Sequence, residues 1–166
     1  MTVRKIRLLG DPVLRAKCRT VKNYSSPEVR RTIRDLRDTL KDFRSKRRFG
    51  RGIAAPQIGM SLRIIYIRSE RLGPLINPRI VRRSKRMFKV WDDCFSFPGL
   101  LVHLKRNAII EIVYHDMNGV RNSLKASHGL SELLQHEIDH INGVLAIDRA
   151  INAKSIIFRS EIRKPA

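Results

Sequence analysis

Gln135-His136-Glu137-Ile138-Asp139-His140 sets five polar side chains between Leu133-Leu134 and Ile141, inside a stretch that reads as a buried helix. At helical geometry His136 and His140, four residues apart, stack on one face roughly 6 Å along the axis. Two imidazoles so placed can grip one metal ion, and Glu137 can reach a water beside it. A metal-bound water ionises near neutral pH, and an adjacent carboxylate can take and return its proton. The competing reading is a surface helix with two solvated histidines. A third ligand elsewhere in the chain decides between them.

Working outward, the helix is predicted from about His128 to Asn142, with Gly143 as its stop. Upstream, Ala108 to His115 and Val120 to Lys125 read as strands joined by a hairpin at Asn118-Gly119. Leu100 to Leu104 is expected to pair with Ala108–His115. Asp92-Asp93-Cys94-Phe95-Ser96 places a lone cysteine beside two acids. Such a cysteine is usually a small buried hydrophobe, and acids discourage its ionisation unless a metal holds the thiolate. Arg63–Ile67 and Leu75–Val81 read as two more strands. The run Phe49-Gly50-Arg51-Gly52-Ile53-Ala54-Ala55-Pro56-Gln57 is small and glycine-rich, which permits close approach of a backbone or a ligand. No Lys-Ser/Thr follows it, so it is not a phosphate loop. Read alone, it is either a tight turn or a site, with Gln57 as its uncharged donor.

Towards the amino terminus, Ser26, Pro27 and Glu28 announce a helix. Val29, Ile33, Leu36, Leu40 and Phe43 give it an apolar stripe, and Arg30, Arg31, Arg34, Arg37, Lys41 and Arg44 its basic faces. After Asp148 a short last helix is expected, apolar at Ile151 and Ile156–Phe158, followed by a basic tail from about 159 to 166.

Length bounds the rest. At 166 residues the chain is expected to be one domain, with no apolar run approaching a membrane helix and no secretory signal in Met1–Leu9. Two cysteines, Cys18 and Cys94, imply no disulfide framework and suit a reducing compartment. A formal charge of +20, from 35 Lys and Arg against 15 Asp and Glu, favours polyanions such as RNA, or else serves solubility.

Taken together, these stretches resemble the peptide deformylase family over nearly the whole chain. Three motifs stand in the family's order: Gly-x-Gly-x-Ala-Ala-x-Gln at Gly50–Gln57, an imperfect Glu-Gly-Cys-Leu-Ser at Asp92–Ser96, and a complete Gln-His-Glu-x-Asp-His at Gln135–His140. Gly10–Arg15 and Gly143-Val144-Leu145 with Asp148-Arg149 are also similar. The resemblance implies an α+β fold, antiparallel sheets packed around a central metal-binding helix. It implies that Cys94, His136 and His140 bind one divalent ion with water fourth, which supplies the missing third ligand. Iron(II) (Fe2+) is the family's favoured metal; zinc, nickel and cobalt suit the same donors. Glu137 is then the general acid and base, and Gln57 with the Phe95 N–H holds the oxyanion. The substrate implied is the N-formyl group of a nascent peptide beginning with formyl-methionine. That peptide pairs along the glycine-rich edge, Gly50, Arg51 and Gly52, and along the cysteine loop. Partners are the formylated peptide and, from the charge, ribosomal RNA. The compartment implied is a bacterial cytoplasm or an organelle matrix.

The sequence departs from the family at three places. Asp92 replaces Glu and is expected to brace Arg106. Asp93 replaces Gly, at the substrate edge, and its charge predicts a preference for basic peptides. Arg51 replaces an apolar residue at the pocket mouth, where Glu132 can pair with it. These changes admit a rival reading, a paralogue acting on a different small amide. A second rival, from another class, is a basic ribosome-associated protein with a structural metal site.

Overall fold

The computed structural model describes residues 2–69 and 72–162. The first helix, α1 (Pro27–Arg47), begins where the Ser26 hydroxyl accepts from the Val29 N–H at 3.3 Å. It ends at Arg48, whose φ of 61° breaks the helical run. Val29, Ile33, Leu36 and Leu40 are buried, while Arg30, Arg31, Arg34, Arg37 and Lys41 are exposed, so the apolar stripe does face a core.

Two antiparallel sheets follow. The larger has the order β1-β2-β3-β6-β7, built from β1 (Gly52–Ala54), β2 (Ile64–Ile67), β3 (Gly73–Arg83), β6 (Ile109–His115) and β7 (Arg121–Ser127). The smaller has the order β4-β5-β8, from β4 (Met87–Asp92), β5 (Leu100–Asn107) and β8 (Ile156–Phe158). The second helix, α2 (His128–Ile141), is buried continuously from Ser131 to Ile141. Neighbouring residues of β1 and β2 point to opposite faces of the larger sheet. Ala54, Ile65 and Ile67 join the core with Leu134, Ile138 and Ile141 of α2. Ile53 and Ile64 join the core with Leu36 and Leu40 of α1. A third core, with Leu14, Cys94, Phe97, Val102, Leu104 and Leu145, lies against the smaller sheet.

Two expectations are corrected. Leu100–Leu104 does not pair with the strand that follows it. Within β5 it pairs with β4 and β8, whereas β6 pairs with β3 and β7. The chain changes sheets at Asn107-Ala108, and there the Gln135 amide takes the place of a neighbouring strand. Its Oε1 accepts from the Asn107 N–H (3.1 Å) and its Nε2 donates to the Asn107 carbonyl (3.0 Å). The expected last helix is also absent among the described residues. Ile156-Ile157-Phe158 is instead a strand on the edge of β5, between 3-10 turns at Ala153–Ser155 and Arg159–Glu161. Three successive β-branched and aromatic residues suit an open sheet edge better than an isolated short helix. Residues 163–166 of the basic tail lie outside the described residues.

Candidate active site

Because α2 is buried from Ser131 to Ile141, the polar residues there need partners inside the protein. His136 and His140 bring their Nε2 atoms to 3.1 Å from each other, and Cys94 Sγ stands 3.2 Å from His140 Nε2. All three side chains are buried, and their donor atoms fall within 4.8 Å of one another. Metal–ligand bonds of about 2.0–2.3 Å at tetrahedral angles place ligand atoms roughly 3.3–3.7 Å apart. The cluster therefore fits one metal ion, and its soft thiolate with two imidazoles matches a first-row divalent cation.

The surroundings orient these donors. Asp92 Oδ1 lies 2.9 Å from His136 Nδ1, so that nitrogen donates to the carboxylate and Nε2 is left to face the cluster. Asp92 also accepts from Arg106 Nη2 at 2.9 Å. Arg106, itself buried, donates to Asp139 Oδ2 at 2.6 Å, and Arg149 holds both oxygens of Asp139 at 2.5 and 2.6 Å. Burial alone would raise the Asp92 carboxyl, but His136 and Arg106 hold it well below the usual carboxylate range. Burial opposes charge on His136, yet Asp92 and Cys94 draw a proton onto it, well above the ordinary imidazole value. His140 is pushed the other way, by burial and by His136, and its Nδ1 has no partner among the described residues.

Glu137 lies beside this cluster, buried. Burial is the largest influence on its carboxyl, and the group is pushed up to about 7. Its carboxylate fills the space above Gly52: a Cβ there would fall 2.6 Å from Glu137 Oε1. Gly50 has φ +114°, and a Cβ on it would meet the Phe95 ring at 2.6 Å. Both glycines of the motif are thus required by what stands against them. Gln57 is fixed by the Ala54 N–H, which donates to its Oε1 at 2.9 Å, and this turns Nε2 towards Cys94 Sγ at 3.4 Å.

A single cleft of about 260 Å³ collects these groups. Gly50, Arg51, Gly52, Gln57, Asp93, Cys94, Phe95, Glu132, His136 and Glu137 all line it, and His140 lies behind them with 1% of its surface exposed. Arg51 and Glu132 form an ion pair across the mouth, and Arg51 also donates to the Gly129 carbonyl at 2.9 Å. Asp93 is not free: it pairs with Arg159. Arg44, Phe49 and Leu133 line the cleft as well, and sequence reasoning gave them no part in it. Nor did it give a role to Asp139 or Arg149. The signal for Asp139 was present, as a carboxylate set between Ile138 and His140 in a buried helix must have a cationic partner.

A buried Cys-His-His cluster with a carboxylate at its side, opening into a cleft edged by a free strand, defines a metal-dependent hydrolase. The polypeptide deformylase family profile matches residues 3–155, and the chain belongs to that family. It is 43% identical over 151 residues to a peptide deformylase of Parafrankia sp., covering 90% of this chain and 79% of that protein. To the peptide deformylase of Dictyoglomus thermophilum it is 37% identical, covering 90% and 94%. Among solved structures, the peptide deformylase of Legionella pneumophila superposes with a TM-score of 0.83 at 32% identity, covering 93% of this chain and 89% of that one. The Synechococcus elongatus enzyme in complex with actinonin gives 0.82 at 36%, covering 90% and 80%.

Proposed function

We propose that this chain removes the formyl group from peptides that begin with formyl-methionine, releasing formate and a free amino terminus. The observation that supports it most is the meeting of Cys94, His136 and His140 beside the Glu137 carboxylate, in a cleft bounded by Gly50–Gly52 and Asp93–Phe95. Cys94, His136 and His140 are the ligands in this reading, and iron(II) is the native ion. A divalent ion held there supplies Lewis acidity towards the formyl oxygen and a water that is easily deprotonated.

The protein's own groups do the rest. Glu137, pushed up to about 7, accepts a proton from the attacking water near neutral pH. It returns that proton to the peptide nitrogen as the carbon–nitrogen bond breaks, so that an amine leaves rather than an amide anion. Gln57 Nε2 and the Phe95 N–H meet the negative charge that grows on the formyl oxygen. The Ala54 bond keeps the Gln57 amide from turning its oxygen inward. The peptide backbone lies against the open side of β1, whose other side is taken by β2. Methionine enters beside Leu133 and Phe95, beneath the Arg51–Glu132 pair. Because those two charges satisfy one another, the slot can remain apolar, which favours formyl-methionine over a different small amide.

The whole chain acts as one catalytic domain in this reading, in a bacterial cytoplasm or an organelle matrix. Among the described residues no helix is long and apolar enough to cross a membrane. The exposed arginines of α1 and the net charge of +20 suit contact with ribosomal RNA. The deciding experiment is formate release from formyl-Met-Ala by protein loaded anaerobically with iron. Metal-replete protein that releases none overturns the assignment. Ribosome co-sedimentation that does not weaken with salt overturns the RNA contact.

A further inference from the structure

The carboxyl-terminal strand ends at the mouth of the cleft. β8 pairs with β5, and its next residue, Arg159, donates its backbone N–H to the Gly99 carbonyl at 2.7 Å. That bond aims the Arg159 side chain back across the cysteine loop. Its Nη2 pairs with Asp93, and its Cζ lies 5.6 Å from the centre of the Phe49 ring. Phe49 is held edge-on by Phe43, with ring centres 5.4 Å apart. Asp93 and Phe49 both line the cleft, one from the cysteine loop and the other from the glycine-rich loop. Arg159 therefore joins the two lips between which a peptide must leave the site.

The charge balance at this end differs from what Asp93 alone predicts. Asp92 is committed to His136 and Arg106, and Arg51 and Glu132 to each other. Of the remaining charges, Asp93 is taken by Arg159, which leaves Arg44, lining the cleft and donating to the Gly50 carbonyl at 2.7 Å, as a cation in excess. A guanidinium has five N–H donors, and Asp93 occupies one nitrogen of Arg159. The Arg159 side chain is 52% exposed, and that of Asp93 41%, so the pair is loose enough to admit a second carboxylate.

Resting on the deformylase reading, we propose that Arg159 is a specificity-determining residue that binds a carboxylate on the second or third residue of the substrate peptide. The enzyme then favours formylated chains with an early Asp or Glu and disfavours those with Lys or Arg. This is the reverse of the preference an unpaired Asp93 would give.

The test uses the full-length, metal-loaded protein and carboxyl-amidated peptides, so that one side chain differs. kcat/KM is compared for formyl-Met-Ala-Glu, formyl-Met-Ala-Gln and formyl-Met-Ala-Lys, at low and high salt. In the wild type the Glu peptide should lead the Gln peptide by about two- to fivefold, the size of an exposed ion pair. The gain should lie in KM and fade with salt. Arg159→Gln should bring the ratio close to one, and Arg159→Lys should keep part of it. Calorimetric binding of the unformylated Met-Ala-Glu and Met-Ala-Lys amides should show the same order. A preference for Lys, or a ratio unchanged in Arg159→Gln, overturns the proposal. If no peptide releases formate, the deformylase reading fails, and the binding contrast alone judges Arg159.

Discussion

Asp92 holds His136 by its Nδ1 at 2.9 Å and, through its other oxygen, the buried Arg106 at 2.9 Å. One carboxylate thus orients an imidazole and anchors the cysteine loop to β5. Asp92→Asn keeps the shape but weakens both bonds and leaves the Arg106 charge less well compensated. Removing such a support to a metal ligand costs about 10–100-fold in metal affinity. The dissociation constant measured by chelator competition should rise by that amount. An unchanged constant would show that His136 needs no orienting partner.

Glu137→Gln removes the base and keeps the hydrogen-bonding shape. Bound metal should persist while turnover of formyl-Met-Ala falls about 10²–10⁴-fold. Gly52→Ala reaches the same group from the other side, because its new methyl stands 2.6 Å from Glu137 Oε1. It should lower kcat with little change in metal content. Full activity in either variant would remove Glu137 from the proton-transfer role.

The two cysteines should behave differently. Cys94→Ser should lose or greatly weaken the ion, and Cys18→Ser should leave it in place. Cys18 is buried with Ile65, Ile110 and Ile141, and burial raises its thiol above the ordinary value, so it should also resist alkylation. Metal analysis of both purified variants decides this, and equal stoichiometry would refute the ligand role of Cys94.

Arg51 and Glu132 differ in exposure: 55% of the Arg51 side chain is open to solvent, against 8% for Glu132. Arg51→Leu should therefore strand a buried carboxylate. The expected destabilisation is about 1–3 kcal/mol, below that of a fully enclosed pair because Arg51 is half solvated. Adding Glu132→Leu should recover most of it. Thermal unfolding of the two variants tests this, and a double variant less stable than the single one would contradict it.

Two donors of the metal cluster were legible in the sequence because they stand a helical spacing apart, and the third, Cys94, came from the family resemblance. The Arg51–Glu132 and Asp92–Arg106 pairs were foreseen through the family resemblance, which marked Arg51 and Asp92 as departures and pointed to Arg106. Arg159 was not. Its place depends on Ile156–Phe158 joining the edge of β5, a pairing between segments over 50 residues apart that no local pattern announces. The change of sheets at Asn107 was hidden for a related reason. What replaces the broken strand pairing there is a side chain of α2, Gln135, which periodicity alone assigns no partner.

The seam between the two sheets is where the donors come together. Two belong to α2, packed against the larger sheet, and the third to a loop leaving β4 of the smaller one. An ion at that point is therefore a cross-brace as well as a reagent. Stripping it should leave the amides of α2 as slow to exchange with deuterium as before, since eleven successive residues of that helix are shielded by packing. The loss should instead quicken exchange around Asp93–Gly99, the loop that keeps one partner fewer. Faster exchange in α2 than in that loop would mean that the ion holds up the helix itself.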